Sequence, residues 1–243
     1  MELPYFYEKD IRIPLHSLSE ETSKHCVLVL RMKPGELLQL TDGNGNLFTA
    51  TIINTNKKHC EVHVEDNYKK EQITSNLKPV TANISIGISL LKNPSRFEWF
   101  LEKSAEIGVS EIIPLICEHT ERKNFRYERM NNILISAMLQ SRQTWLCRLH
   151  EPEKFNQVIS HSFRGLKAIA YCAEDKKTKL TEAIDKNEGA IVLIGPEGDF
   201  SWAEIQAAIE KNFVPVSLGN TRLRSETAGI VAATLLCNIS GIN

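Results

Sequence analysis

The sequence predicts an α/β protein in two parts, a small β-barrel followed by a larger domain built on a parallel sheet. Three observations lead there. Up to about residue 66, short β-prone runs follow one another with little helix; after Pro79, strand-like runs alternate with helix-like ones; and the polar stretch "EDNYKKEQITSNLKP" separates the two textures. Alternating strands and helices bury a parallel sheet between helical layers. The polar stretch reads as a linker and sets the domains at 1–72 and 73–243.

In the first part, "GELLQLTDGNGNLFTATIIN" holds two β-prone runs around Asp42-Gly43-Asn44-Gly45. Gly and Asn tolerate positive φ, so this is a hairpin. "HCEVHVE" alternates Cys60, Val62 and Val64 against Glu61, His63 and Glu65, the period of a half-buried strand. Tyr5, Phe6 and Tyr7 read as an amino-terminal strand, with base stacking as the alternative use of their rings.

In the second part, "VTANISIGISLL" is a strand and "NPSRFEWFLEKSAEIG" a helix whose apolar face is Phe97, Phe100, Leu101 and Ala105. Ser95 and Glu98 have capping-box spacing, and Gly108 suits the stop. "VSEIIPLIC", "LKAIAYC", "AIVLI" and "FVPVSL" are further strands. "YERMNNILISAMLQSR" and "TKLTEAIDKN" are helices between them. Ser201 and Glu204 cap "SWAEIQAAIEKN". The last helix runs to about Ser240 and is small or apolar on nearly every side, as in a helix buried all round. Its partner is either its own core or a second subunit.

Composition narrows the function. The formal net charge is -1, so any basic surface is local. No apolar run approaches the ~20 residues of a membrane span, and "MELPYFYEKD" lacks the pattern of a secretory signal; the expectation is cytoplasmic. The six cysteines form no C-x-x-C pair and read as buried, reduced thiols, with no metal site.

Two loops carry the chemistry. "LIGPEGDF" follows one strand and "SLGNTRLRSETAG" another, and both have glycine near the strand end. In open α/β sheets, ligands bind beyond the carboxyl ends of the strands. An isolated Gly-Pro is also a good corner. Neither G-x-G-x-x-G nor G-x-x-x-x-G-K-[ST] is present, which disfavours a nucleotide held by its phosphates and a nicotinamide-dependent oxidoreductase. Two Gly-bearing loops at adjacent strand ends can form one mostly apolar pocket whose backbone groups read an uncharged edge such as adenine.

With these residues in view, the chain resembles the RsmE family of SPOUT-superfamily methyltransferases, which act on N3 of a uridine in 16S ribosomal RNA. "LIGPEGDFSWAEI" and "LGNTRLRSETA" resemble its paired signature loops. "FEWFLEKSAEIGVSEIIPLICEHTER" and "SAMLQSRQTWLCRLHEP" resemble earlier parts of its catalytic domain, and "VLRMKPGELLQLTDGNG" resembles its PUA-like RNA-binding barrel. The resemblance implies a SPOUT-type α/β catalytic domain with a deep trefoil knot, against the general rule that chains avoid knots. It also implies a homodimer and the cofactor S-adenosyl-L-methionine. Carried over, the cofactor contacts are Ile194, Gly195, Glu197 and Gly198, faced by Leu218, Gly219, Leu223, Arg224, Glu226 and Thr227. Asp199 stands where the family usually has a second Gly; if that position needs a positive φ, Asp tolerates it at some cost. Acting on transfer RNA, or serving as a non-catalytic assembly factor, are the alternatives.

Methylation at N3 of uracil requires loss of the N3 proton. The candidate catalytic residues are Arg224, to stabilise the uracil anion through O2 or O4, and Glu226; the base is Glu226, Glu197 or water. A local Arg224–Glu226 ion pair is the plain alternative. N3 lies on the Watson–Crick edge, so the target base is single-stranded or flipped out. Phosphate contacts are assigned to Arg12, Arg31 and Lys33 in the small domain and to Arg122 and Arg142 in the large one. His25, Arg96, Lys123, Arg126 and Arg148 are further candidates.

Overall fold

The computed structural model describes residues 2–65, 83–173, 177–185 and 189–239. The polar run read as a linker, after its first residue Glu65, and the boundary placed at 72/73 lie outside the described residues. Within them the chain forms two compact units. One contains 2–65 together with 138–146, and the other 83–137 and 147–239.

The first unit is a five-stranded sheet of β1 (Tyr5–Tyr7), β2 (Leu15–Ser17), β3 (Leu37–Thr41), β4 (Leu47–Asn54) and β5 (Glu61–Val64), in the order β1-β3-β4-β5-β2. The expected hairpin is β3–β4, antiparallel with Leu40 opposite Phe48. The Asp42 carboxylate holds its loop, accepting hydrogen bonds from Asn44 N (2.8 Å) and Asn46 Nδ2 (2.6 Å). Cys60, Val62 and Val64 all point inward, as their alternation predicts, onto Leu38, Leu40, Ala50 and Ile52.

Two features depart from the sequence reading. The pairing of β1 with β3 is parallel, where the run of short strands reads as antiparallel; β2, α1 (Glu20–Lys24) and a π-helical turn at His25–Val29 lie between the two strands in the chain. That helix has a start signal which strand counting passes over: the Ser19 hydroxyl accepts from Thr22 N, with Glu20 and Glu21 behind it. Beside it Glu8 is buried. Burial alone would raise its pKa, but hydrogen bonds from His16, Thr22 and Ser19 outweigh it and hold the carboxyl below its ordinary value.

Segment 138–146 completes this unit. Gly45 N donates to Thr144 O and Leu146 N to Gly43 O, both at 2.9 Å, and the Tyr5 hydroxyl donates to Gln143 O at 2.7 Å. The Trp145 indole lies against Gly45, where a Cβ would sit 2.3 Å from the ring. The hairpin loop is therefore a docking edge as well as a turn, and its glycines serve close approach as much as positive φ. Phe6 is buried in the core, so β1 packs as expected.

The second unit is an eight-stranded sheet: β6 (Ile84–Ser89), β7 (Glu111–Ile116), β8 (Arg148–Leu149), β9 (Glu153–Lys154), β10 (Leu166–Ala170), β11 (Thr178–Lys179), β12 (Ala190–Ile194) and β13 (Val214–Ser217). The order is β11-β13-β10-β12-β6-β7-β8, with β9 also on β7, and every pairing is parallel. All five predicted strands form. The three extra ones have two residues each, too few to show a period. Between them lie α2 (Pro94–Ile107), α3 (Tyr127–Gln140, whose residues from 138 on belong to the first unit), α4 (Phe155–Val158), α5 (Leu180–Ala183), α6 (Trp202–Glu210) and α7 (Ser225–Ile239).

The capping box at Ser201 and Glu204 forms as predicted, and Gly108 ends α2 in the left-handed region. At the start of α2 the prediction fails. Asn93 is the cap, its Oδ1 accepting from Ser95 N, and Pro94 occupies the first helical position. Proline has a preset φ and no N–H to satisfy, which moves the start upstream of Ser95. Glu98 is freed from capping and takes a two-pronged pair with Arg129 at 2.6 and 3.0 Å. The last helix, α7, is buried on one face only: Gly229, Ala232, Ala233 and Leu236 are covered, while Ile230, Val231 and Leu235 are half-covered. Its small residues permit close crossing, since a Cβ on Gly229 would stand 2.5 Å from the Phe100 ring on α2.

Gly45→Ala is expected to lower unfolding stability by about 1–3 kcal/mol, through overpacking against Trp145 and a positive φ of 86°. Denaturant titration followed by tryptophan emission checks this; an unchanged midpoint with unchanged emission would contradict the docking described above.

Candidate active site

The two loops come together because their strands end in register. Ala170, the last residue of β10, is opposite Ile194 on one side and Val216 on the other. Neighbouring strands are ~4.8 Å apart, so the loops leave the sheet roughly 10 Å from each other. Between them is a hollow of about 640 Å³ at the carboxyl ends of the strands, a size that suits a small organic ligand.

The first loop is a tight turn, with Asp199 N donating to Pro196 O at 3.0 Å. Gly195 is fixed by proximity, because a Cβ there would be 3.1 Å from Phe200 N. Asp199 takes φ 64°, a conformation Asp accepts more readily than most residues. It also does what glycine in its place would not: its carboxylate accepts from Cys172 N (2.7 Å) and Phe200 N (2.8 Å), tying the loop to the end of β10. Glu197 accepts from Lys92 N at 3.1 Å, tying the same loop to the segment after β6. From outside, His119 packs over Gly198 and its Nδ1 is 2.9 Å from Asp199 O. That bond favours the protonated ring and raises the His119 pKa above its ordinary 6.5.

The second loop supplies the facing wall. Ile194, Gly195 and Glu197 line the hollow from one side; Leu218, Gly219, Leu223 and Arg224 line it from the other. Gly198, Glu226 and Thr227 are outside the lining. Glu226 is buried in the first turn of α7, and its Oε1 is 3.6 Å from Arg96 Nε. The alternative of a local Arg224–Glu226 pair is therefore not what forms: among the described residues Arg224 has no ion pair or hydrogen bond for its guanidinium.

Sequence reasoning missed the segment that follows β10, and it named Arg96 of α2 only as a phosphate contact. Tyr171, Cys172, Lys177 and Arg96 all line the hollow. Lys177 is committed to the backbone, donating to Tyr171 O at 2.7 Å and to Ala173 O, with its ammonium 4.3 Å from the Tyr171 ring centre. Cys172 is exposed, whereas the other five thiols are buried, so the reading of all six as buried needs correcting. Burial raises the pKa of Cys117 and Cys237 to about 12. The signal available for the β10 residues was the third strand end itself, since a parallel sheet aligns its carboxyl edges.

Arg12, Arg31 and Lys33 are exposed in the first unit, and Arg122 is exposed in the second. Arg142, counted with the large domain, belongs to the first unit, where it pairs with Glu2 at 2.8 Å. Among the described residues no helix is long and apolar enough to cross a membrane.

Known proteins match along nearly the whole chain. A family described as the RNA methyltransferase domain covers residues 76–237, and one described as the RNA methyltransferase PUA domain covers 18–65. The ribosomal RNA small subunit methyltransferase E of Buchnera aphidicola from Acyrthosiphon pisum is 30% identical over 250 residues, covering 99% of this chain and 95% of its own. A probable rRNA-methyltransferase from Porphyromonas gingivalis is 37% identical with a TM-score of 0.89, covering 98% of both chains. The ribosomal RNA small subunit methyltransferase E from Neisseria gonorrhoeae, solved bound to S-adenosyl methionine, is 30% identical with a TM-score of 0.83, again covering 98% of both.

The His119 contact carries a pH signature. Its folded pKa is raised, so its contribution is present below the unfolded value of 6.5 and is lost as pH rises through the folded value. Amide exchange at Asp199 and Phe200 should therefore accelerate across that window beyond ordinary base catalysis, and His119→Ala should abolish the step.

Proposed function

We infer the function from one premise: this chain belongs to the ribosomal RNA small subunit methyltransferase E family of RNA methyltransferases. The reaction is transfer of a methyl group from S-adenosyl-L-methionine to N3 of a uridine in 16S ribosomal RNA. The observation that carries this reading is the single hollow lined by residues 194–197 and Asp199 of the first loop and by residues 218–224 of the second.

The residues present fit the cofactor. Ile194, Val216, Leu218 and Leu223 give the hollow an apolar lining suited to an adenosine, and the loop backbone offers hydrogen-bonding groups to its edge. When bound, the cofactor supplies an electrophilic methyl group on a sulfonium. What the chain adds is orientation, exclusion of water and charge stabilisation.

Arg224 borders the hollow with its donors uncommitted among the described residues. It stabilises the negative charge that develops on a uracil carbonyl as the N3 proton leaves. Of the two candidate carboxylates, Glu197 lines the hollow and Glu226 does not, which supports Glu197 over Glu226 as the group that receives that proton. The base reaches the site extruded from any helix, because N3 is hidden in a pair.

The first unit holds the RNA through Arg12, Arg31 and Lys33, and Arg122 contributes from the second. A deep trefoil knot in the carboxyl-terminal domain belongs to the same reading. The sheet order, with β12 between the earlier strands β6 and β10, is compatible with it. The half-covered Ile230, Val231 and Leu235 of α7 support a homodimer.

Mass spectrometry of small-subunit ribosomal RNA from cells lacking this protein should show one methyluridine missing, restored by the wild-type chain. Arg224→Ala should lower the methylation rate about 10²-fold, measured as kcat on that RNA; full activity would remove its assigned role.

A further inference from the structure

Arg96 occupies the first turn of α2, and the positive end of a helix is an unfavourable place for a cation. No acidic residue accompanies it in that turn. Its charge is answered from α7, by Glu226, across 3.6 Å. That distance is an ion pair and exceeds a hydrogen bond. The Glu226 side chain is 9% exposed, and its Oε2 has no hydrogen-bond partner among the described residues. The arrangement serves neither helix well. Placements that defy local preference and leave a buried polar atom unsatisfied concentrate at functional sites.

Arg96 also lines the hollow. Among the described residues its guanidinium donates no hydrogen bond, and neither does that of Arg224. Two guanidiniums with uncommitted donors thus border one cavity, one from α2 and one from the turn before α7. Uracil presents a matching pattern, because its N3 is flanked by two carbonyl oxygens, O2 and O4. As the N3–H bond breaks, its electron pair delocalises onto both.

We propose that Arg96 is a second catalytic residue, donating to one of the two carbonyl oxygens beside uracil N3 while Arg224 serves the other, with Glu226 as the positioning residue that holds Arg96 in place. This rests on the function proposed above. In the step, the N3–H pair becomes the new N–C bond to the methyl carbon. The proton passes to solvent through Glu197, and the carbon–sulfur pair stays on the sulfur of the sulfonium donor. One guanidinium on each oxygen matches the charge that develops as N3 loses its proton.

The test is kcat against pH for the full chain with small-subunit ribosomal RNA and S-adenosyl-L-methionine, comparing wild type with Arg96→Gln, Arg96→Lys and Glu226→Gln. Arg96→Gln should lower kcat about 10²-fold near neutrality and displace its alkaline rise upward by about one pH unit or more, because an unassisted uracil ionises later. Arg96→Lys should recover part of the rate. Glu226→Gln should shift the profile the same way by less. Cofactor affinity by calorimetry, and the salt dependence of KM for RNA, should not change. An unchanged pH profile with raised KM and a shallower salt dependence would overturn the proposal in favour of a phosphate contact. Weakened cofactor binding would overturn it in favour of the cofactor's carboxylate. Wild-type protein that leaves the RNA unmethylated would remove the functional premise and the proposal with it, whereas an active wild type with an indifferent Arg96→Gln sinks this proposal alone.

Discussion

The site depends on the parallel register of three strands. Ala170 is opposite both Ile194 and Val216, so β10, β12 and β13 end on one line and their loops emerge side by side. In an antiparallel arrangement the neighbouring exits would point to opposite edges. A slip of one residue would turn every side chain of a strand to the other face of the sheet. Ile191 and Leu193 on β12 and Ile169 on β10 are fully packed in one core cluster, which makes such a slip costly. The hydrophobic core thereby fixes where two loops nearly 25 positions apart in sequence can meet.

The loops are then held by contacts from outside themselves. Asp199 fastens the first to the end of β10, Glu197 fastens it to Lys92, and His119 covers it. None of these partners is near in sequence. Asp199 shows how a departure from a family pattern is absorbed: a glycine would relieve the backbone, whereas the aspartate accepts a positive φ and adds two hydrogen bonds to backbone amides. Rigidity in this loop follows from side chains on neighbouring elements as much as from Pro196.

Charge follows the same logic. Glu226 and Arg224 are two residues apart, and proximity in sequence suggests a pair. Arg224, however, lies in the turn before α7, whereas Glu226 is in the helix's first turn. Glu226 turns inward to α2 and Arg224 is left at the hollow. The partner of Glu226 is 130 positions away, and its identity depends on α7 crossing α2 closely, which Gly229 against Phe100 permits.

The sequence by itself determined the local and periodic features: five of the strands in the parallel sheet, the hairpin at Asp42–Gly45, the capping box at Ser201, the inward set Cys60, Val62 and Val64, and the two loops that carry the family resemblance. These rest on neighbours within a few residues, where alternation, turn chemistry and capping act. Only the tertiary structure decided that β1 pairs parallel to β3, that residues 138–146 join the first unit, that Asn93 and not Ser95 caps α2, and that Lys177, Cys172 and Arg96 border the hollow. Each of these is settled by competition among distant groups for the same space, hydrogen bonds and charge. A side chain's partner across a fold leaves no period in the chain, so it becomes visible only once the strands have chosen their order.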